Sequence, residues 1–114
     1  MYRAAKDMKK AKLFYASKQV SADKKISRNI HKELSDDVDR ELSVLQAVGD
    51  DGEVIATVVN YGCHPEALSR ENTTFSSDFV GPLRTALETN YGGTAVFLQG
   101  SIGCLISVDV DDKK

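Results

Sequence analysis

The apolar positions fall into three clear blocks from Glu41 onward, and the polar stretches between them carry the residues with chemistry. Leu42 to Val48 alternates toward a β-strand. Gly49-Asp50-Asp51-Gly52 then crowds together residues that tolerate positive φ, as a tight turn demands. Glu53 to Asn60 is β-branched and almost continuously apolar, the pattern of a buried second strand. The two strands and their turn predict a hairpin whose second strand runs out at Tyr61-Gly62-Cys63-His64-Pro65.

After a polar loop, Phe79, Val80, Leu83, Ala86, Leu87 and Tyr91 recur on one face of a helix. Ser76 or Ser77 is placed to cap it, and Asp78 suits the positive end of the helix dipole. Pro82 would clash with a carbonyl one turn back if it lay deeper than the first turn, so the regular helix is expected to begin near Gly81. Gly92-Gly93 ends it, Thr94 to Gln99 reads as a short buried strand, and Gly100 to Gly103 as a turn at its carboxyl end. A helix between the second and third strands allows a right-handed crossover if those strands are parallel.

The first third is less patterned. Tyr2, Ala5, Met8, Ala11 or Lys12, and Tyr15 lie at helical spacing, which predicts an amphipathic helix over residues 2–17. Ser17 to Arg28 reads as loop, and Ile30 to Asp39 as an irregular connection or one short helical turn. The expected class is therefore α/β: a layered fragment with a β-hairpin, a crossover helix and a further strand. Residues 1–25 form a basic helix and loop beside a unit covering 26–114.

Composition narrows the function classes. A length of 114 residues bounds the chain to one domain or a piece of one. Net charge is −2, and the lysines that crowd the first quarter read as a solvated helix face and its flank rather than as a phosphate-binding patch. No apolar run approaches the roughly 18 residues of a membrane span. The start lacks the apolar core of a secretory signal. Two cysteines, Cys63 and Cys104, make no disulfide framework and leave the redox compartment open.

His64, just past a buried strand and held by Pro65, suits a metal ligand, a general base or a structural histidine. His31 sits in a polar stretch and reads as exposed. Asp78 is either a carboxylate for the second nitrogen of His64 or a helix-start charge. Cys63 reads as a small buried residue at a strand end. Cys104 occupies a turn where a nucleophile or oxyanion donor can sit, and a Cys104/His64 hydrolase is one reading. Asn72-Thr73-Thr74 matches the glycosylation acceptor pattern, a triplet common by chance.

Several segments together resemble the amino-terminal catalytic domain of the neutral/alkaline non-lysosomal ceramidase family. They are Asp39 to Leu45, Asn60-Tyr61-Gly62-Cys63-His64-Pro65, Ser77 to Gly81, Leu83 to Glu88 and Val96 to Gly103, in family order over roughly residues 26–109. The resemblance implies part of a larger mixed-sheet catalytic domain and a zinc-dependent amidase acting on ceramide or a related lipid N-acyl amide. In the family, two histidines, a glutamate and a tyrosine hold the zinc. The histidine of the His-Pro segment carries over to His64 as a metal ligand, Asp78 to a catalytic supporting role, and the hydroxyl of the family's Gly-Asp-Val-Ser-Pro turn to Ser107.

The match departs from the family in three places. Nothing matches the family's His-Thr-His-like segment, and its glutamate and tyrosine ligands lie beyond Lys114. The turn reads Gly103-Cys104-Leu105-Ile106-Ser107, so Cys104 replaces the acid and the hydroxyl is displaced by one position. The implied partners are the remaining parts of the catalytic domain. The competing reading is a truncated, non-catalytic relative acting as a binding or interaction module, with His64 structural. Asp109 to Lys114 reads as a frayed terminus.

Overall fold

The computed structural model describes residues 2–24, 26–31, 33, 37–68 and 72–107. A four-stranded mixed sheet forms its centre, in the order β1 (Ala11–Gln19), β3 (Glu41–Gly49), β4 (Val54–Tyr61) and β5 (Thr94–Gln99). β3 and β4 are the predicted hairpin, antiparallel through Ser43–Asn60 and Val44–Val59, with a register shift at Ala47/Val48 next to the turn. β4 and β5 are parallel from Ala56–Thr94 to Tyr61–Gln99, joined by the crossover helix α2 (Val80–Tyr91). A second, two-stranded antiparallel sheet pairs β2 (Ser27–Asn29) with β6 (Leu105–Ser107). Small helical pieces at α1 (Tyr2–Lys6) and a 3-10 turn at Ala22–Lys24 complete the described elements.

The strand period sorts the central sheet into two unlike faces. Thr57, Val59, Tyr61 and Ala95 point one way and are buried. Phe97 shares that face and meets Phe79, at the start of α2, edge to face with ring centroids 5.5 Å apart. The opposite face carries Leu13, Tyr15, Leu45, Val96 and Leu98, all exposed. Among the described residues α2 covers the Phe97 side of the sheet, packing against β5.

The amino-terminal helix expected over residues 2–17 stops at Lys6, and Ala11–Gln19 is instead a strand paired residue for residue with β3. β1 is exposed along both faces, so its sequence shows no alternation, and its apolar spacing imitates a helix. Pairing with β3, which satisfies a whole row of backbone groups, decides the conformation. The loop expected over Ser17 to Arg28 likewise contains the end of β1, the 3-10 turn and the start of β2. Of Ile30 to Asp39 only part is described, and the charged tail Asp109 to Lys114 lies outside the described residues.

α2 begins at Val80, with Phe79 at the cap position and no side-chain cap. Pro82 occupies the third helical position, where its missing N–H has no intrahelical partner to lose. Ser76 does not cap the helix; its Oγ accepts the Asp78 N–H at 2.9 Å. Val80, Leu83 and Leu87 of the predicted apolar face are half-buried, while Ala86 and Tyr91 are exposed. Gly92, at φ 77°, ends the helix in a conformation that L side chains rarely adopt.

Candidate functional site at the carboxyl ends of β4 and β5

In a sheet with parallel strands, sites form outside the strand carboxyl ends, where connecting loops leave the hydrogen-bonded ladder. Here β4 delivers Gly62-Cys63-His64 and β5 delivers Gly100 to Gly103 at the same end. The two exits touch. Gly100 N–H donates to Tyr61 O at 3.0 Å. A Cβ on Gly100 would stand 2.9 Å from Gly62 N, and one on Gly62 would stand 2.7 Å from Ser101 O. Glycine is required on both sides because backbone lies against backbone.

Gln99 ties this junction together. Its side-chain Nε2 donates to Cys63 O at 2.9 Å and, at 3.4 Å, to Tyr61 O. The last side chain of β5 thus holds the peptide that carries His64. Sequence reasoning passed Gln99 over as an ordinary strand residue. Its only local signal is a polar end to an apolar run, facing the polar exit of the neighbouring strand.

The His64 ring is half-buried and makes no hydrogen bond or ion pair among the described residues. Its carbonyl accepts the Glu66 N–H at 2.9 Å, turning the chain sharply after Pro65. His31 is distant from this role: it is exposed, with Nδ1 3.9 Å from Glu33 Oε1.

Asp78 is occupied by backbone rather than by the imidazole. Oδ2 accepts from Leu68 N at 3.0 Å and Oδ1 from Phe79 N at 2.7 Å. One carboxylate therefore fastens the loop after His64 to the start of α2. Asp78 does so at φ 50°, in the left-handed region that a short polar side chain tolerates better than most.

Cys63 is buried, 1% exposed. Burial pushes its thiol from the ordinary 9.0 up to about 11, and the Asp78 and Glu66 carboxylates add to the rise. A thiol held in this way stays protonated and donates, at 3.6 Å to Ile26 O and at 3.7 Å to His64 O. Such a group is neither a thiolate ligand nor a nucleophile near neutral pH. Cys63 and Cys104 are both free thiols and form no disulfide with one another.

Ser107 lies on β6 opposite Ser27, whose Oγ is 3.2 Å from Tyr61 OH. Ser107 is buried, and its Oγ has no hydrogen-bond partner among the described residues. The second sheet is thus linked to the end of β4 through Tyr61. Cys104 contributes its carbonyl, which accepts the Ile30 N–H at 3.0 Å. Asn72 and Thr74 bond to one another in an exposed turn of the long loop, with Thr74 Oγ1 2.7 Å from Asn72 Oδ1.

A zinc ion needs about four donors, three of them from protein in a catalytic site. Among the described residues no group of three or more histidine, cysteine, aspartate or glutamate side chains converges to hold a metal. At this junction the described residues offer the His64 imidazole, a carboxylate engaged by backbone, and a protonated thiol. This set does not fit a complete zinc site.

No protein-family model and no curated protein matches the sequence significantly. Solved structures do match in shape. A neutral ceramidase from Pseudomonas aeruginosa superposes with a TM-score of 0.77 at 23% identity, over 99% of this chain and 20% of that one. A ceramidase complexed with C2 gives 0.76 at 24% identity, over 94% of this chain and 18% of the other. The chain spans about a fifth of the length of the ceramidases it matches. The small mixed sheet, its crossover helix and the paired strands β2 and β6 together have the fold of one part of a ceramidase.

Proposed function

We propose that this chain is one part of a zinc-dependent amidohydrolase of the ceramidase type, to which it contributes His64 as a single metal ligand and the wall built by the ends of β4 and β5. The observation that carries this reading is the conjunction of a fold match over nearly the whole chain with a free imidazole at the β4 exit. The substrate class is a lipid N-acyl amide, ceramide or a relative. His64, together with donors from outside this chain, would hold a zinc whose chemistry would be to activate water near neutral pH and polarise the amide carbonyl, the two things a resistant amide needs.

The chain's own residues divide the remaining work. Gln99 and the close glycines fix the backbone that bears His64. Asp78 sets the path of the loop leaving it, acting as a supporting group. Ser107 supplies the hydroxyl of the second sheet, its buried Oγ having no hydrogen-bond partner among the described residues. The missing donors come from polypeptide outside this chain.

Zinc titration tests the reading, on the 114-residue chain and on a polypeptide extended at both ends. The short chain binds zinc weakly and leaves N-acyl amides intact. The extended form binds tightly and loses at least about a hundredfold in affinity with His64→Ala, as expected for a lost ligand. Turnover by the short chain alone, or an extended form indifferent to His64→Ala, overturns the proposal. An extended form that binds no zinc favours the interaction module.

A further inference from the structure

The central sheet is finished differently at its two edges. On the β5 side, α2 reaches over and consumes the backbone. Arg84 Nε donates to Ala95 O at 2.7 Å, and Ala95 N donates to Glu88 Oε1 at 2.9 Å. Arg84 and Glu88 are themselves 3.6 Å apart. Both groups of Ala95 face away from β4 and are already taken, so a further strand cannot pair at that residue.

Among the described residues nothing comparable guards β1. Its nine residues pair with β3 on one side only. Every residue from Lys12 to Gln19 is exposed, with Leu13, Phe14 and Tyr15 at 68%, 54% and 66%. No hydrogen bond among the described residues reaches the outward N–H and C=O groups of this strand. A long, open, partly aromatic edge is a template for strand addition.

The charge pattern says what kind of strand fits. Lys12 and Lys18 project from the same face of β1, six residues apart, with Phe14 and Ala16 between them. Their cross-strand neighbours on β3 are Val48 and Leu42, and no ion pair among the described residues involves either lysine. A second copy of β1 is a poor occupant. In the antiparallel register of fullest overlap, centred on Tyr15, Lys12 stands opposite the partner copy's Lys18 on both sides. Edge lysines that repel a copy select a strand of the opposite sign.

We propose that β1 is a docking edge for an extended acidic strand from outside this chain, with apolar residues on one face and carboxylates six residues apart on the other. The carboxylates pair with Lys12 and Lys18, and the apolar side chains cover Leu13 and Tyr15. The inference needs neither zinc nor catalysis, so it stands or falls apart from the proposed function.

Amide hydrogen exchange on the intact 114-residue protein tests it. The probe is a nine-residue peptide with valine at alternate positions and two glutamates six residues apart on the other face. Its control carries lysine at those two positions. The acidic peptide slows exchange of the β1 amides that point away from β3 by about tenfold more than the basic one does. Lys12→Glu combined with Lys18→Glu, both on exposed side chains, reverses the preference. Equal protection by the two peptides overturns the proposal, as does protection by neither. Protection that grows with protein concentration in the absence of peptide assigns the edge to a second copy and overturns it too.

Discussion

Gly100→Ala is the sharpest probe of the junction that presents His64. The added methyl would stand 2.9 Å from both Gly62 N and Tyr61 C, and 3.2 Å from Gly62 Cα. Comfortable carbon contacts lie near ~3.5–4.0 Å, and these neighbours are backbone atoms that cannot rotate aside. The ends of β4 and β5 must separate, which costs about 1–3 kcal/mol as overpacking. The Gly100–Tyr61 hydrogen bond, 3.0 Å long, is stretched as they part, for about 1 kcal/mol more. Restricting the unfolded chain returns roughly 0.4–1 kcal/mol. The net loss is about 2 kcal/mol, a factor of roughly 30 in the folding constant. Gly103→Ala is the matched control, since a Cβ there meets nothing within 4 Å and requires no positive φ. Urea unfolding of both variants measures the difference, and the His64 amide resonance shifts in Gly100→Ala alone. Two variants that unfold within about 0.5 kcal/mol of each other would refute the close-approach argument.

Three further outcomes follow from the same junction. Asp78→Ala removes the acceptor for Leu68 N and Phe79 N and destabilises by about 1–3 kcal/mol; Asp78→Asn, which keeps an oxygen and tolerates the same φ, costs at least 1 kcal/mol less, and limited proteolysis between residues 65 and 79 reads the difference. Gln99→Leu leaves the Cys63 carbonyl without its side-chain donor, costs about 1 kcal/mol, and moves the Cys63 carbonyl carbon resonance, whereas an unmoved resonance would deny Gln99 its role. The Cys63 thiol has a folded pKa of about 11 against an ordinary 9.0, so its contribution to stability is fully present below pH 9 and is lost as pH rises through 11. Wild type therefore loses more stability than Cys63→Ala between those two values, measured as the shift in urea midpoint, and parallel losses would argue against a buried protonated thiol.

The residues from 41 to 99 were legible because β4, β5 and α2 each turn one face inward, buried on the two strands and half-buried on the helix. The hairpin declared itself through β-branched runs around Gly49 to Gly52, and the crossover helix through Phe79, Val80, Leu83 and Leu87. The site was legible in outline, since a strand ending at Tyr61 must release His64 beside whatever follows the next parallel strand. Its support was not. That Asp78 serves two backbone N–H groups rather than the imidazole depends on how the loop folds back, which no spacing encodes.

By itself the sequence determined the local order of hairpin, helix and strand, the glycine-bearing exits, and the histidine placed between them. Periodicity and turn chemistry act over a few residues, so they survive without knowledge of neighbours. Tertiary structure alone decided that residues 11–19 are a strand, that Gln99 clasps the His64 peptide, and that Cys63 keeps its proton. Each of these is set by a partner more than twenty residues away: the β3 ladder, the β4 exit, and the segment of Ile26, whose carbonyl lies against the Cys63 thiol. Long-range pairing supplies hydrogen bonds and burial that no local pattern announces, and at β1 it overrode the helical spacing that the sequence presented.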